Sequence, residues 1–450
     1  MHVSPNKTHH PALAWIVTLT ASLFFFYGFI QLNLFSAINA QLMQEFGLSA
    51  SQLGQLASMY FYGNALFLFP AGLLLDRFST KKLLLLAVTL STAGTFGFGL
   101  SSSYLSAAVA RFIVGAGAAF CFLSCIRLAS RWFPASRMAF VTGIIVTMAM
   151  IGGMVAQTPM TLLSNSVGWR HAIWLDGALG VLVLIATLFI VRDYPPDNHS
   201  VAREEHAKLK AMGLWRSMLY AVINPQNWLG GIYASLLNLP VFLLGALWGI
   251  NYLTEVHHIS AVEASYATTL FFVGVIFGSP VYGWFSDYIG LRRLPMIIGA
   301  ILSLIVIAVL MYMPNLSLIS LIFLFFLIGF TTSSQVLAYP TVAELNPSAL
   351  TSTAVSITSM TIMCSGFIFQ PLFGWMMEMQ WDRKMVNGMA VYSANDFNNA
   401  MLIIPLGFVA GLIIALFIKE TYCRTLDFKV HENQKTNDYT SEYSDLKSTS

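Results

Sequence analysis

Charge is what this sequence has least of. Lysine, arginine, aspartate and glutamate together make up 10% of its 450 residues, against 57% hydrophobic ones, and the mean hydropathy is +0.70. Soluble domains carry about 25% charged residues, so composition excludes that class. Cysteine is scarce too. Cys121, Cys125, Cys364 and Cys423 fall in apolar runs or in the tail, and no disulfide framework follows. Cys121 and Cys125 share a helix face but have no His or carboxylate beside them. They read as small packing residues, and no metal site is expected. No glycine-rich loop ends in the lysine that would cradle a nucleotide, which removes ATP as an energy source. No nucleophile, base and orienting group share one neighbourhood, so neither enzyme chemistry nor a cofactor is expected. The net charge of +3 is small and gives no reason to expect a nucleic-acid partner. No small-residue cleavage pattern follows the N-terminal histidines, so no removable signal peptide is expected.

What the chain has is apolar length. A helix needs about 20 apolar residues to cross ~30 Å of hydrocarbon. Twelve such runs can be placed, the first at roughly 12–37 and the last at roughly 399–418, six on each side of a polar stretch at 193–226. Basic residues crowd alternate loops: Arg77, Lys81 and Lys82; Arg131 and Arg137; Arg192, Arg203, Lys208, Lys210 and Arg216; Arg292 and Arg293; Lys419 and Arg424. The opposite loops offer Arg170, Arg383 and Lys384. The positive-inside rule then puts both termini in the cytoplasm. The expected organisation is an N-terminal six-helix bundle over 1–192 and a cytoplasmic linker over 193–226 with an interfacial helix near 201–219. A C-terminal six-helix bundle over 227–420 and a disordered cytoplasmic tail over 421–450 complete it.

The two halves repeat. Gly72-Leu-Leu-Leu-Asp76-Arg77-Phe-Ser-Thr-Lys81-Lys82 is answered 211 residues later by Gly283-Trp-Phe-Ser-Asp287-Tyr-Ile-Gly-Leu-Arg292-Arg293. At the same offset Tyr27 maps onto Asn238, Gly63 onto Gly274 and Ser124 onto Gln335. At an offset of 213, Gln157 maps onto Gln370 and Pro134 onto Pro347. A charged hairpin between apolar runs, repeated at half the chain length, indicates a duplicated membrane protein. The hairpin resembles the cytoplasmic loop 2–3 signature (G-x-L-x-D-R-x-G-R-K/R) of the major facilitator superfamily. The first copy departs from it at Ser79 and Thr80; the second has the Gly as Gly290 but Tyr288 after its Asp. The resemblance covers nearly the whole chain and leaves the substrate open. It implies an all-α membrane protein of twelve transmembrane helices in two pseudo-symmetric six-helix bundles, transporting by alternating access.

Ionisable groups inside apolar helices are expensive, so they point to function. Arg111, in Arg111-Phe-Ile-Val-Gly115-Ala-Gly117, resembles the superfamily's span 4 motif R-x-x-x-G-x-G, which implies a role in coupling and substrate charge. The alternative is an arginine snorkelling to the interface. Asp176 is the only acid well inside a span. A proton site and an interfacial carboxylate paired with Arg170 or His171 are both open; its depth, shared with Arg111, suggests an ion pair. In the superfamily helices 1, 4, 7 and 10 line the cavity. That implies Tyr27, Gln31, Asn238, Trp248, Gln335 and Tyr339 as substrate ligands beside Arg111, with interhelical hydrogen bonds as the alternative. Asn238-Leu-Pro240 is expected to break span 7 within the membrane.

The repeated hairpins suggest gating by Gly72, Asp76, Arg77, Gly283, Asp287, Arg292 and Arg293. Asp76 is expected to meet the helix start near 348, and Asp287 the one near 136, latching the cytoplasmic side. Span 5 reads Met148-Ala-Met-Ile-Gly152-Gly153 and lacks the G-P-x-x-G-G pattern of the superfamily's drug/proton antiporters. Segments such as Ala71–Lys82, Arg111–Phe120 and Gly168-Trp-Arg170 resemble bacterial uptake carriers, among them the amino-acid and nucleoside importers of intracellular proteobacteria. The expectation is a monomeric inner-membrane carrier, set in the lipid bilayer, that imports a small-molecule substrate (amino acid, nucleoside or organic acid) with protons. A drug or siderophore exporter and a non-transporting sensor are the alternatives.

Overall fold

Most of the apolar runs fold into helices, several of them interrupted part-way. The computed structural model describes residues 11–133, 137–195, 222–313, 315–346, 351–386 and 389–424, apart from the side chains at 73, 76, 77, 138–140, 351–353, 386 and 389. The expected interfacial helix at 201–219 and the tail beyond Arg424 lie outside the described residues.

The first half contains α1 (Pro11–Asn33), α2 (Phe35–Phe46), α3 (Ala50–Arg77), α4 (Thr80–Gly99), α5 (Tyr104–Ala118), α6 (Cys121–Trp132), α7 (Met138–Val155), α8 (Thr158–Val167) and α9 (Trp169–Ile190). The second half contains α10 (Pro225–Leu237), a π-helix (Val241–Trp248), α11 (Gly249–His257), α12 (Ala261–Ile289) and α13 (Arg293–Tyr312). It continues through α14 (Leu318–Thr332), a 3₁₀ turn (Ser333–Leu337), α15 (Ala338–Glu344) and α16 (Thr351–Met379), and ends with α17 (Ala394–Met401) and α18 (Ile403–Phe417). A two-residue hairpin pairs Met385–Val386 with Met389–Ala390 between α16 and α17. Among the described residues ten continuous or nearly continuous helices are long and apolar enough to cross a membrane, eleven with the pair Pro225–Leu237 and Val241–His257, bent by 41°. The helix α3, where the second span was expected, has 28 residues, about 42 Å at 1.5 Å per residue. The break in span 7 falls at Asn238–Pro240, as the proline required: it has no N–H to continue the ladder.

The repeat is visible in the packing. A methyl group added at Gly63 would strike the backbone of Phe112 on α5, and one at Gly115 the backbone of Tyr60 on α3. The second half does the same with Gly274 against Phe326 and Gly329 against Phe271. Bare backbone on both helices is what allows spans 2 and 4, and spans 8 and 10, to touch this closely.

The described stretch begins, at Pro11, and ends, at Arg424, at one end of the molecule, called proximal here. At that end Trp15 packs edge-on against Phe133 at 4.8 Å, and the backbone N–H of Lys419 donates to Gln226 at 3.0 Å. The halves meet chiefly at the other, distal end. There α3 packs along α16, α7 and α8 along α12, and α2 against the π-helix and α11. The N–H groups that begin α3 have no partner in their own helix. The other half supplies partners for the first two, where Tyr392 Oη accepts from Ala50 and Glu378 Oε1 from Ser51, both at 2.8 Å, while Ser49 Oγ takes the Gln52 N–H. Burial pushes the Tyr392 phenol up to about 12, so it remains a neutral hydroxyl at ordinary pH.

One carboxylate caps a helix at the proximal side of each half, Asp193 just past the expected end of the first bundle and Glu420 at the expected end of the second. Asp193 accepts from Ser79 Oγ at 2.5 Å and from the Lys81 N–H at 2.8 Å, capping α4, and lies 3.8 Å from Arg131. Glu420 accepts from the N–H groups of Arg292 and Arg293 at 2.7 and 2.9 Å, capping α13. Packing contacts of the two halves thus reach Asp193 and Thr421. Thr421 is buried and donates to Glu344 at 2.5 Å. Asp193→Ala is expected to lower stability by about 1–2 kcal/mol, the usual worth of a helix cap, seen as a lower midpoint of thermal unfolding in detergent. Asp193→Asn should recover part of the loss, because its amide oxygen still accepts from Lys81.

Candidate functional site

The polar groups inside the first half converge on one residue of α1. Arg111, on α5, is buried at 1% relative exposure, which excludes snorkelling to the interface. Its Nη2 donates to the backbone carbonyl of Gln31 at 2.9 Å. The guanidinium sits among three aromatic rings, with centroids at 4.6 Å for Phe35, 5.2 Å for Tyr60 and 5.9 Å for Phe98. Asp176, on α9, is also buried and accepts through Oδ2 from the side-chain amide of the same Gln31. No direct ion pair joins Arg111 and Asp176 among the described residues; Gln31 stands between them, holding the cation with its backbone and the anion with its side chain.

This junction has spare capacity. Arg111 Nε and Nη1 and Asp176 Oδ1 are buried without a hydrogen-bond partner among the described residues. Tyr27, one turn before Gln31, points the same way: its hydroxyl shares a 2.8 Å hydrogen bond with Thr95 on α4. Tyr27 and Gln31 thus face spans 3 and 6 of their own half in this state.

In the second half Gln335, in the 3₁₀ turn, donates to Asn238 Oδ1 at 2.9 Å, bringing together one of the residues chosen from span 7 and one from span 10. Tyr339, one turn further on, is half-buried. Trp248 lies apart from them, fully buried and stacked on Phe373 at 5.7 Å.

Of the gating set, Asp287 bonds within its own hairpin, 2.7 Å from Arg292. Arg292 is the hub there, reaching Glu344 at 2.7 Å and Ser286 Oγ at 2.9 Å. The side chain of Arg293 is half-buried, and its N–H is taken by Glu420. Positions 136 and 348 and the side chains of Asp76 and Arg77 lie outside the described residues. Gly72 and Gly283 have open space where a Cβ would stand.

Sequence reasoning missed Glu378, Tyr392, Asp193, Glu344 and Glu420 as contact-making residues. A signal existed for two of them: Arg192-Asp193 and Lys419-Glu420 are matching basic–acidic pairs immediately after spans 6 and 12.

A family profile described as Major Facilitator Superfamily matches residues 19–249 and 231–428. Among curated proteins, the chain is 28% identical over 194 residues to a probable sulfoacetate transporter of Cupriavidus necator, covering 43% of this chain and 44% of that one. It is 23% identical over 297 residues to a probable hexose phosphate transport protein of Chlamydia pneumoniae, covering 61% and 65%. It is 26% identical over 316 residues to the membrane sensor protein UhpC of Escherichia coli, covering 66% and 70%. The matches thus span less than two thirds of the first two relatives. Among solved structures, a D-xylose–proton symporter superposes with a TM-score of 0.73 at 17% identity, over 92% of this chain and 99% of that one. A bacterial homologue of the human lysosomal transporter Spinster, inward-facing and occupied, superposes at 0.70 and 18% identity, over 89% and 96%.

Proposed function

The chain belongs to the Major Facilitator Superfamily, and we propose that it is a secondary transporter taking up a small polar organic solute together with protons. The observation that carries this reading is the Arg111–Gln31–Asp176 junction: a buried cation and a buried acid, bridged by one residue, with unpaired donors and an unpaired oxygen left over. An intramembrane acid of this kind is the group the fold offers to a proton. Protonating Asp176 weakens its claim on the Gln31 amide, and Gln31 is then held by Arg111 alone. Loading the proton therefore alters the packing of a helix that contacts both halves. Solute binding that prefers the same packing and protonation then favour each other, which is coupling.

Within the reading the solute is an organic anion such as a carboxylate, sulfonate or phosphate ester. Arg111 and Arg127 outnumber Asp176 inside the first-half spans. Similar curated proteins are named for sulfoacetate and hexose phosphate. The amino-acid and nucleoside options of the sequence analysis stay in the test. The proximal end is cytoplasmic, because its loops hold most of the basic residues. The closed distal end then faces outward. The membrane is the bacterial inner membrane, and one chain contains both halves, so a monomer suffices.

The test is uptake into proteoliposomes holding the purified chain, with an inside-alkaline gradient and labelled sulfoacetate, glucose 6-phosphate, glutamate and uridine. One of these should accumulate, and a protonophore should collapse the accumulation. Binding of a solute with no uptake of it would instead favour a sensor, the reading that the similarity to UhpC supports.

A further inference from the structure

The π-helix in span 7 is held by three side-chain amides that come from three separate segments of the chain. Gln157, in the break between α7 and α8, donates through Nε2 to the carbonyl of Gly245 at 2.8 Å. Asn39, on α2, donates to the carbonyl of Leu247 at 2.6 Å. Gln370, on α16, donates to the carbonyl of Phe242 at 3.0 Å. The donors and the segment are buried. A π-turn spaces its own hydrogen bonds five residues apart, and such turns recur at functional sites. Here the segment begins directly after Pro240, and it leads through α11 to the distal end.

The three amides divide unevenly between the halves. Asn39 and Gln157 belong to the first half, so their bonds cross the interface. Gln370 belongs to the second half, the same body as the π-helix. Gln157 and Gln370 are nevertheless repeat equivalents, 213 residues apart. Each has an Oε1 that is buried without a partner, so the carbonyl of the π-helix is the one hydrogen bond each side chain makes among the described residues. Phe272 of α12 fills the space beside them, against both Gly153 of α7 and Gly245.

We propose that Gln157 and Asn39 are positioning residues for transport that hold the span 7 π-helix as the distal gate, while Gln370 fixes the same segment to its own half in every state. When the halves rock apart distally, the bonds to Gly245 and Leu247 must break, and the bond to Phe242 need not. Two side chains related by the repeat thereby do opposite jobs: one is a switch contact, the other an anchor. The inference rests on the transporter reading only for its purpose; the gate itself can be observed without any solute.

The experiment uses the full chain in lipid nanodiscs. The reporter is Ser265→Cys, at a buried distal site where Ser265 Oγ lies 3.1 Å from Thr158 Oγ1 across the interface. Its labelling by a bulky maleimide is measured above the background of the chain's own cysteines. Gln157→Met removes the donor at nearly constant volume, and is expected to raise the labelling rate about three- to tenfold, the worth of one buried neutral hydrogen bond. Asn39→Ala should raise it similarly. Gln370→Met should leave it within about twofold, since the open and closed states lose the same bond. Thermal unfolding checks that each variant is folded; if Gln157→Met is not, Asn39→Ala against Gln370→Met carries the comparison. Equal effects of the first-half and second-half variants, or no increase with the first-half ones, would overturn the proposal. Failure of all solutes in the uptake test with the labelling pattern intact would remove the transport reading and leave the gate.

Discussion

Arg111→Ala is expected to reduce uptake at least 100-fold, and Arg111→Lys at least tenfold, with both proteins still reaching the membrane. The guanidinium is fully buried, accepted by the Gln31 carbonyl at 2.9 Å and surrounded by Phe35, Tyr60 and Phe98. Each ring contributes about 0.5–2 kcal/mol of cation–π attraction when desolvated. Alanine removes that, opens a void, and leaves Asp176 without a nearby cation. Lysine keeps the charge but not the planar fork, so it cannot stack on the rings and reach Gln31 together. Initial uptake rates normalised to protein amount, together with melting temperatures, separate loss of coupling from loss of fold. A lysine variant with wild-type rates would reduce Arg111 to a packing element.

Gly54→Val is expected to hold the distal end open and cut transport more than tenfold without unfolding the chain. A Cβ at Gly54 would lie 2.6 Å from the Gln370 carbonyl oxygen and 3.0 Å from Pro371 Cα. Both are backbone atoms of the other half, which cannot rotate away. Gly374 makes the reciprocal contact with Ala50. Overpacking costs about 1–3 kcal/mol, and here only the closed distal state bears it, so the equilibrium moves by roughly five- to 150-fold. The cysteine at position 265 should become labelled much faster, with Gly54→Ala intermediate. Gly72→Val supplies the contrast. That site has open space in this state, so any penalty arises where the proximal end closes, and the shift should run the other way or vanish. Distal exposure in Gly54→Val equal to wild type would mean that the α3–α16 contact persists through the cycle.

The fold was legible because its causes are local. Apolar run length gave the spans, Pro240 gave the break in span 7, and the repeated hairpins gave the two halves. Arg111 was legible as a candidate because it opens a segment that resembles the span 4 motif, and its burial decides against snorkelling. Its partners were not: periodicity tells which face is polar, not which neighbour that face meets after the helix rotates into place. Tyr27 and Gln31 were expected at a central cavity and in this state face spans 3 and 6. Equal depth suggested a direct Arg111–Asp176 pair as one possibility, and Gln31 of α1 stands between the two instead. The carboxylate at a foreign helix start was anticipated at the proximal end, for Asp76 and Asp287; the structure has one at the distal end, between Glu378 and α3. Gln157 and Gln370 were visible as repeat marks, but their use depends on carbonyls that only a π-turn presents.

The coupling claim is tested most directly by following protons and solute together. Proteoliposomes with a trapped pH indicator would be given, at zero initial gradient, whichever labelled solute the uptake panel identifies. Internal acidification should accompany wild-type uptake. It should be absent in Asp176→Asn, while that variant still exchanges preloaded solute. Solute entry with no proton movement in the wild type, or an unaltered proton flux in Asp176→Asn, would contradict a proton pathway through the Gln31 junction.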